Sequence, residues 1–462
     1  MNSSKPLTIT EAHAAILGGG LTVRRWVQSC MDVIQRIDGK LKAWVYLNTE
    51  QTLRYADELD QKLANGAMPQ LLYGAPIGIK DIYNTKNMPT CMGSPIWAGF
   101  TPGNDARTVF YVRQAGAVVL GKTATAEFAV HALSETLNPY DFRKTPGTSS
   151  SGSAVAVATG MAPIALGTQT AGSVIRPASF CGIYGFKPSF GLIPRTGMLK
   201  TTDTLDTVGF FARSPEDLEL LFRVLHVKGK DYPLSDAALN DASRQNVNGR
   251  PWKVAFVKTR TWDLAEPYAR EAMEKFIGQL QEHPGVQVTA ENLRGDFDQA
   301  HAIHAVIYEK TLAYYFKEEY KKQTLISEIL YEMIQRGNEF TLPNYLDALE
   351  RQKELAQKLE SFFNNYDIIL TLSTAGQAPD REVMETEDSC LVWTLCGQPV
   401  IGIPQFKSPE GLPFGFQAVS RRYNDYLLLK FVKQLRDWGI ISNAQTAECR
   451  NLSSFEVRAS SS

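Results

Sequence analysis

Residues 145–153 read TPGTSSSGS, with four serines and two glycines in one short stretch. On its own this composition suits a flexible linker. Its continuation, AVAVATGMAPIALGT, reads as a small-residue helix and then a strand, which fastens the loop to a core. A serine-rich loop that opens a helix supplies side-chain caps and unpaired backbone N–H groups, the makings of an oxyanion or anion site. After the strand comes GTQTAGSVIRPASFCG (167–182), in which Thr170, Ala171, Gly172 and Ser173 form a second tight turn. Successive N–H groups in such a turn can converge on one point, as a tetrahedral oxyanion requires, and one donor there is often worth ~3 kcal/mol. The plainer reading is a glycine turn ahead of Pro177. Upstream, PIGIKD (76–81) places Lys80 at the end of an apolar strand. A strand-end lysine alone reads as a solvated charge. Taken with the two serine turns, it reads as a base. Burial disfavours the ammonium, and a neutral lysine can activate a serine. A second serine between them can pass a proton each way, so no histidine is required.

Several elements must position these groups. Residues 8–64 carry helical periodicity, with Ile16, Val23, Trp26, Val27, Met31 and Ile34 on one apolar face. From Leu71 to Phe211, short apolar runs alternate with Gly/Ser/Thr-rich loops, the texture of an α/β sheet. Residues 225–250 read as a surface excursion, 252–258 as a strand and 266–283 as an amphipathic helix. Residues 298–365 read as mostly helical, interrupted near Arg336 to Pro343. Tyr345, Leu349, Leu355, Leu359 and Phe362 form one buried stripe there. Strands return at 366–372, 400–404 and 415–419, and a last helix spans 424–437. The terminal SSFEVRASSS is polar and expected to fray. A length prior suggests about two to four domains. Strands at both ends of the chain argue instead for one sheet built from both halves.

Other motifs lead elsewhere and fail on physics. Residues 116–123, GAVVLGKT, match the phosphate-loop pattern, yet the residues between the glycines are Ala, Val, Val and Leu, which form a strand rather than a cradle. His301 and His304 lie three apart on a helix, with Asp298 one turn earlier. Three ligands down one helix face do not converge on an ion, so exposed histidines are expected and no metal. G-x-S-x-G is absent. Lys plus Arg number 48 against 49 Asp plus Glu, which leaves no basic excess for nucleic acid. The six cysteines form no CxxC and suggest reduced thiols. No apolar run reaches the ~18 residues of a membrane span, and MNSSKPLTITEA lacks a signal-peptide core, so a cytoplasmic protein is expected.

The set Lys80, Ser149 and Ser173 closely resembles the amidase signature family. There PIGIKD matches the lysine segment, GTSSSGS stands for the usual GGSSGGS, and TAGS for the usual TGGS. The likeness continues through CGIYGFKPSFGLIPRTG (181–197), DTVGFFARS (206–214), WTLCGQPVIGIP (393–404) and GLPFGFQAV (411–419), and is loose over 215–365. It implies an α/β fold with a large mixed twisted central sheet covered by helices on both faces. It also implies one domain over 1–462, with an N-terminal helical region (8–64), a catalytic core (71–211), a variable helical region (215–365) and returning strands (366–440). By the resemblance Ser173 is the nucleophile and forms an acyl-enzyme. Ser149, joined to Thr148 by a cis peptide, relays the proton, and Lys80 is the base. Backbone N–H groups of Thr170, Ala171, Gly172 and Ser173 make the oxyanion hole. Ser150 and Thr148 flank the relay. Arg176 either buttresses the loop, the reading favoured here, or meets a substrate carboxylate. Three departures are notable: Thr148 and Ala171 stand for glycines, and Gln169 for a common aspartate whose charge could tie the loop down. Ala171 therefore requires a negative φ or tolerated strain.

The implied activity is hydrolysis of a small-molecule amide to acid and ammonia or amine, with no cofactor, no nucleic acid and no membrane. A homodimer is expected on base rate alone. Alternatives are the glutaminase subunit of a tRNA-dependent amidotransferase, a carbamoyl- or urea-type (allophanate- or biuret-like) hydrolase, and a silent binding protein on the same fold. Substrate choice is expected from residues 298–345. There Tyr308, Tyr314, Tyr315, Phe316 and Tyr320 form either an apolar funnel or a buried stripe.

Overall fold

The computed structural model describes residues 6–229, 233–383, 385 and 387–449. The frayed C-terminus expected from the sequence lies outside them. Eleven strands form one sheet. They are β1 (Trp44–Leu47), β2 (Pro76–Lys80), β3 (Val118–Thr123), β4 (Ile164–Gln169), β5 (Tyr184–Lys187), β6 (Thr207–Ala212), β7 (Trp252–Lys258), β8 (Val286–Asn292), β9 (Ile368–Leu372), β10 (Val400–Lys407) and β11 (Pro413–Ser420). Their spatial order is β1-β3-β2-β4-β6-β5-β10-β11-β9-β7-β8. The N-terminal and C-terminal halves of the chain join where β5 pairs with β10, through Val400 opposite Lys187. This is the mixed α/β sheet flanked by helices that the resemblance implied.

The strands that matter for chemistry are β2, β3 and β4, which run parallel. Parallel neighbours need crossovers, here the helices Arg107–Gln114 and Ser151–Ala158. Every residue of these three strands is buried, as expected of a sheet covered on both faces. Their carboxyl ends carry Lys80, Thr123 and Gln169, and the crevice beyond such ends is the usual ligand position in α/β sheets. GAVVLGKT lies largely in β3, so its apolar residues pack rather than cradle phosphate.

The structure differs from the sequence reading in three places. The N-terminal region is helical (Ile9–Leu17, Val23–Leu41, Thr49–Ala64), but Trp44–Leu47 adds an antiparallel edge strand. The other edge, β8, was not apparent: VQVTAEN is mostly polar because only one strand covers it. Residues 225–250 include a helix, Pro233–Asn240, and bury Leu239 and Val247. Among the described residues no helix is long and apolar enough to cross a membrane.

Candidate active site

Lys80 ends β2 and is fully buried. Its Nζ lies 2.8 Å from Ser149 Oγ, 2.9 Å from Ser150 Oγ and 2.9 Å from Thr168 Oγ1, so a neutral amine can donate to two of these hydroxyls and accept from the third. All these partners are neutral hydroxyls. Without a bonded counter-ion, burial pushes the Lys80 amine well below its usual range, and the more distant Asp206 carboxylate restores only part. This places an amine that favours its neutral form in hydrogen-bond contact with Ser149.

The serine loop is held from several directions. Gly147 takes φ +90° and lies so close to Pro177 that a Cβ would approach its Cα to 2.9 Å. The Thr148–Ser149 peptide bond is cis. Ser149 O accepts from Ala126 N at 3.1 Å, and Gly152 N donates to Ala124 O at 3.1 Å, tying the loop to the segment after β3. Ser150 Oγ donates to Thr168 O at 3.2 Å, which joins the loop to β4.

Ser173 lies between β4 and the helix Ile175–Cys181 and is 6% exposed. Its hydroxyl makes no hydrogen bond among the described residues, nor do the N–H groups of Ala171, Gly172 and Ser173. Both flanks of Ser173 are fastened to the relay. Five residues before it, Thr168 holds Lys80. Three residues after it, Arg176 Nη2 donates to Thr148 O at 2.9 Å and Thr148 Oγ1 at 2.8 Å. The remaining guanidinium edges meet Glu385 at 2.9 Å and Asp388 at 2.9 Å. Arg176 therefore buttresses the loop.

Two of the three departures from the family pattern, Ala171 and Gln169, have a local resolution. Ala171 is not among the residues with positive φ, so its Cβ costs nothing there. Gly172 is required by space: a Cβ would fall 2.2 Å from Asp388 Oδ1. Gln169 ties the turn without charge. Its Oε1 accepts from Val174 N at 2.9 Å and Ile175 N at 3.0 Å, capping the following helix, and its Nε2 donates to Thr394 Oγ1 at 2.9 Å.

The expectation of exposed histidines on 298–304 is corrected. His304 is buried and its Nε2 bonds Thr170 O at 2.8 Å, while His301 Nε2 bonds Asp388 O at 3.2 Å. The helix Ala300–Tyr315 packs against the site instead of turning these residues to solvent. Its aromatics divide: Tyr308 and Phe316 are buried, whereas Tyr314 is 71% exposed and Tyr315 hydrogen-bonds Asp203. A continuous five-residue funnel is therefore not formed. Sequence reasoning missed Thr168, Asp206, Asp388 and Thr394. Asp206 gathers Thr170 Oγ1 at 2.8 Å, Thr201 N at 2.7 Å, Thr201 Oγ1 at 2.6 Å and Thr202 N at 3.0 Å. Its signal was the lone acid that opens DTVGFFARS.

Comparison with known proteins places the chain in a family. The sequence profile of the family described as Amidase matches residues 25–429. The A-chain component of glutamyl-tRNA(Gln) amidotransferase from Cyanothece sp. is 30% identical over 467 aligned residues, covering 92% of this chain and 96% of that protein. Its counterpart from Picosynechococcus sp. is 31% identical, covering 86% and 90% respectively. Native peptide amidase from Stenotrophomonas maltophilia shares the fold, with a TM-score of 0.82 at 24% identity over 96% of this chain and 99% of that one. A profile match over most of the length and relatives at this identity establish that the chain belongs to the amidase family, the amidase signature enzymes.

Proposed function

We propose that this protein cleaves the C–N bond of a small carboxamide by acyl transfer to Ser173. Ser173 Oγ attacks the carbonyl carbon while its proton passes to Ser149 Oγ, whose own proton passes to Lys80 Nζ. The oxyanion that forms sits on backbone N–H groups of residues 170–173. The intermediate collapses with loss of the amine, which takes the proton back from Lys80 through Ser149. Water then attacks the acyl ester by the same relay, and the acid leaves. The observation that carries this reading is the 2.8 Å contact of a fully buried, uncharged-favouring Lys80 with Ser149. Thr148, Ser150, Gln169 and Arg176 hold the parts in place. The expected test result is ammonia release from a panel of primary amides that falls at least roughly 10⁴-fold in Ser173→Ala. Retained turnover in that variant would reject the mechanism.

A second reading has the weight of the curated relatives, which are amidotransferase components matched over nearly their full length. In that reading the same acyl transfer acts on glutamine and hands ammonia to a partner chain. Against it, Arg176 is already engaged by Glu385 and Asp388 and offers no free edge to a glutamine carboxylate. Ammonia release by the isolated chain from amides other than glutamine supports the free-standing hydrolase. Release from glutamine alone, rising with a co-purifying partner, supports the amidotransferase reading.

A further inference from the structure

We propose that His304 is a positioning residue for the oxyanion turn: by holding the Thr170 carbonyl it fixes where the Ala171 N–H points. The inference rests on the reading of residues 170–173 given above. A trans peptide is planar, so its C=O and the next N–H point to opposite sides. Whatever pins the carbonyl aims the amide. His304 Nε2 lies 2.8 Å from Thr170 O, and a carbonyl can only accept, so Nε2 carries the hydrogen. Burial, with His301 and His131 nearby, holds the imidazole at a pKa of about 4, so the ring is neutral at neutral pH.

The next peptide plane is held in the same way from a different element. Thr394, on the helix Leu391–Leu395, donates to Ala171 O at 2.7 Å, which sets the Gly172 N–H. Meanwhile Gln169 takes up the N–H groups of Val174 and Ile175, leaving those of Ala171, Gly172 and Ser173 unclaimed among the described residues. Two consecutive carbonyls are thus turned away by two separate side chains, and the intervening donors are left facing elsewhere. A buried histidine needs some partner in any case. Here its partner is one of the two carbonyls whose orientation sets an oxyanion donor. The histidine is supplied by the helix Ala300–Tyr315, outside the strands and loops that carry Lys80, Ser149 and Ser173.

A fluorophosphonate probe tests this. Ser173 Oγ forms the bond to phosphorus, the P–F bond breaks, fluoride leaves, and the serine proton passes through Ser149 to Lys80. The second-order labelling rate is measured by intact mass for wild type, His304→Ala, His304→Gln and Thr394→Val, together with each melting temperature. Deleting one oxyanion donor outright costs roughly 10²–10³-fold, so a misaimed donor in His304→Ala is expected to slow labelling by about ten- to a hundred-fold. His304→Gln, which keeps an N–H, should recover most of the rate, and on a substrate amide the loss should fall on kcat rather than KM. Wild-type labelling rates in folded His304→Ala would overturn the inference. So would a loss that tracks melting temperature and is not restored by glutamine. Should His304→Ala not fold, Thr394→Val decides on the same criterion. No labelling of wild type would instead overturn the reading of Ser173 itself, which keeps the two failures apart.

Discussion

Two buried lysines on adjacent strands differ in what surrounds them, and the difference separates the proposed base from a structural group. Lys80 ends β2 and Lys122 lies on the adjacent β3, opposite Ile79, and both are fully buried. Lys80 meets only hydroxyls. Lys122 forms an ion pair with Asp81 at 3.1 Å and donates to Tyr83 O at 2.9 Å, Pro89 O at 3.1 Å and Thr90 Oγ1 at 2.7 Å. Burial lowers both amines; the Asp81 carboxylate in contact with Lys122 opposes the shift through charge and a hydrogen bond, whereas Asp206 opposes that of Lys80 from a distance. Residue type and depth are the same. The bonded counter-ion is what distinguishes Lys122 as a clamp, and its absence at Lys80 fits the proposed role of base.

The largest expected contrast comes from deleting each amine. Lys80→Met should lower turnover by roughly 10⁴-fold or more. Its stability in denaturant should stay near wild type, because an apolar side chain replaces a buried amine. Lys122→Met should do the reverse. Turnover per folded molecule should change by less than about ten-fold, while stability falls by about 3–5 kcal/mol because Asp81 is left buried and unpaired. Pairing it with Asp81→Asn should recover much of that loss. Equal stability losses for both lysines would break the contrast.

pH sharpens it further. The folded-state pKa of Lys80 lies below its unfolded value, so between the two values the unfolded chain binds more protons. Stability should therefore rise with pH through that window. Below the folded pKa the ammonium forms and the rate per folded molecule should fall. Lys80→Met should flatten the alkaline rise in stability, measured as denaturation midpoint against pH. An unchanged rise would assign it to other groups.

A smaller effect is expected at Thr168, one of the Lys80 hydroxyl partners. Thr168→Val should cost about 1 kcal/mol of stability, and steady-state assay should show a loss of about ten-fold in kcat with little change in KM. A fully active Thr168→Val would remove Thr168 from the set that holds the base. Smallest is Ala171→Gly, which restores the family's usual residue. Because Ala171 already has negative φ, glycine should lower stability by about 0.5–1 kcal/mol and leave kcat nearly unchanged. A faster enzyme would mean that the alanine methyl constrains the turn.

The same contrast explains what was legible in the sequence. Local order was readable where apolar runs carry it: WKVAFVK is β7, and YDIILTL contains β9. GKT in β3 was rejected as a phosphate loop because the preceding valines demand a strand, and there they pack. Lys80, Ser149 and Ser173 stood out because small polar residues clustered beside core segments have no packing use. The partners of Arg176 were not readable, since Glu385 and Asp388 lie more than 200 residues away along the chain. His304 was misread because a polar-looking helix face gives no sign that it will pack against a turn carrying free carbonyls. Side-chain partners set by long-range docking leave no trace in local periodicity.

The most direct measurement is a pH titration of lysine labelled with ¹³Cε and ¹⁵Nζ, observed by NMR, with Lys80→Met, Lys122→Met and Lys187→Met to assign the resonances of the three fully buried lysines. Lys80 should lose its proton at lower pH than Lys122 and well below the exposed lysines, and its transition should coincide with the acid limb of Ser173 labelling by a fluorophosphonate. A Lys80 resonance that titrates with the exposed lysines, or after Lys122, would contradict its role as the base.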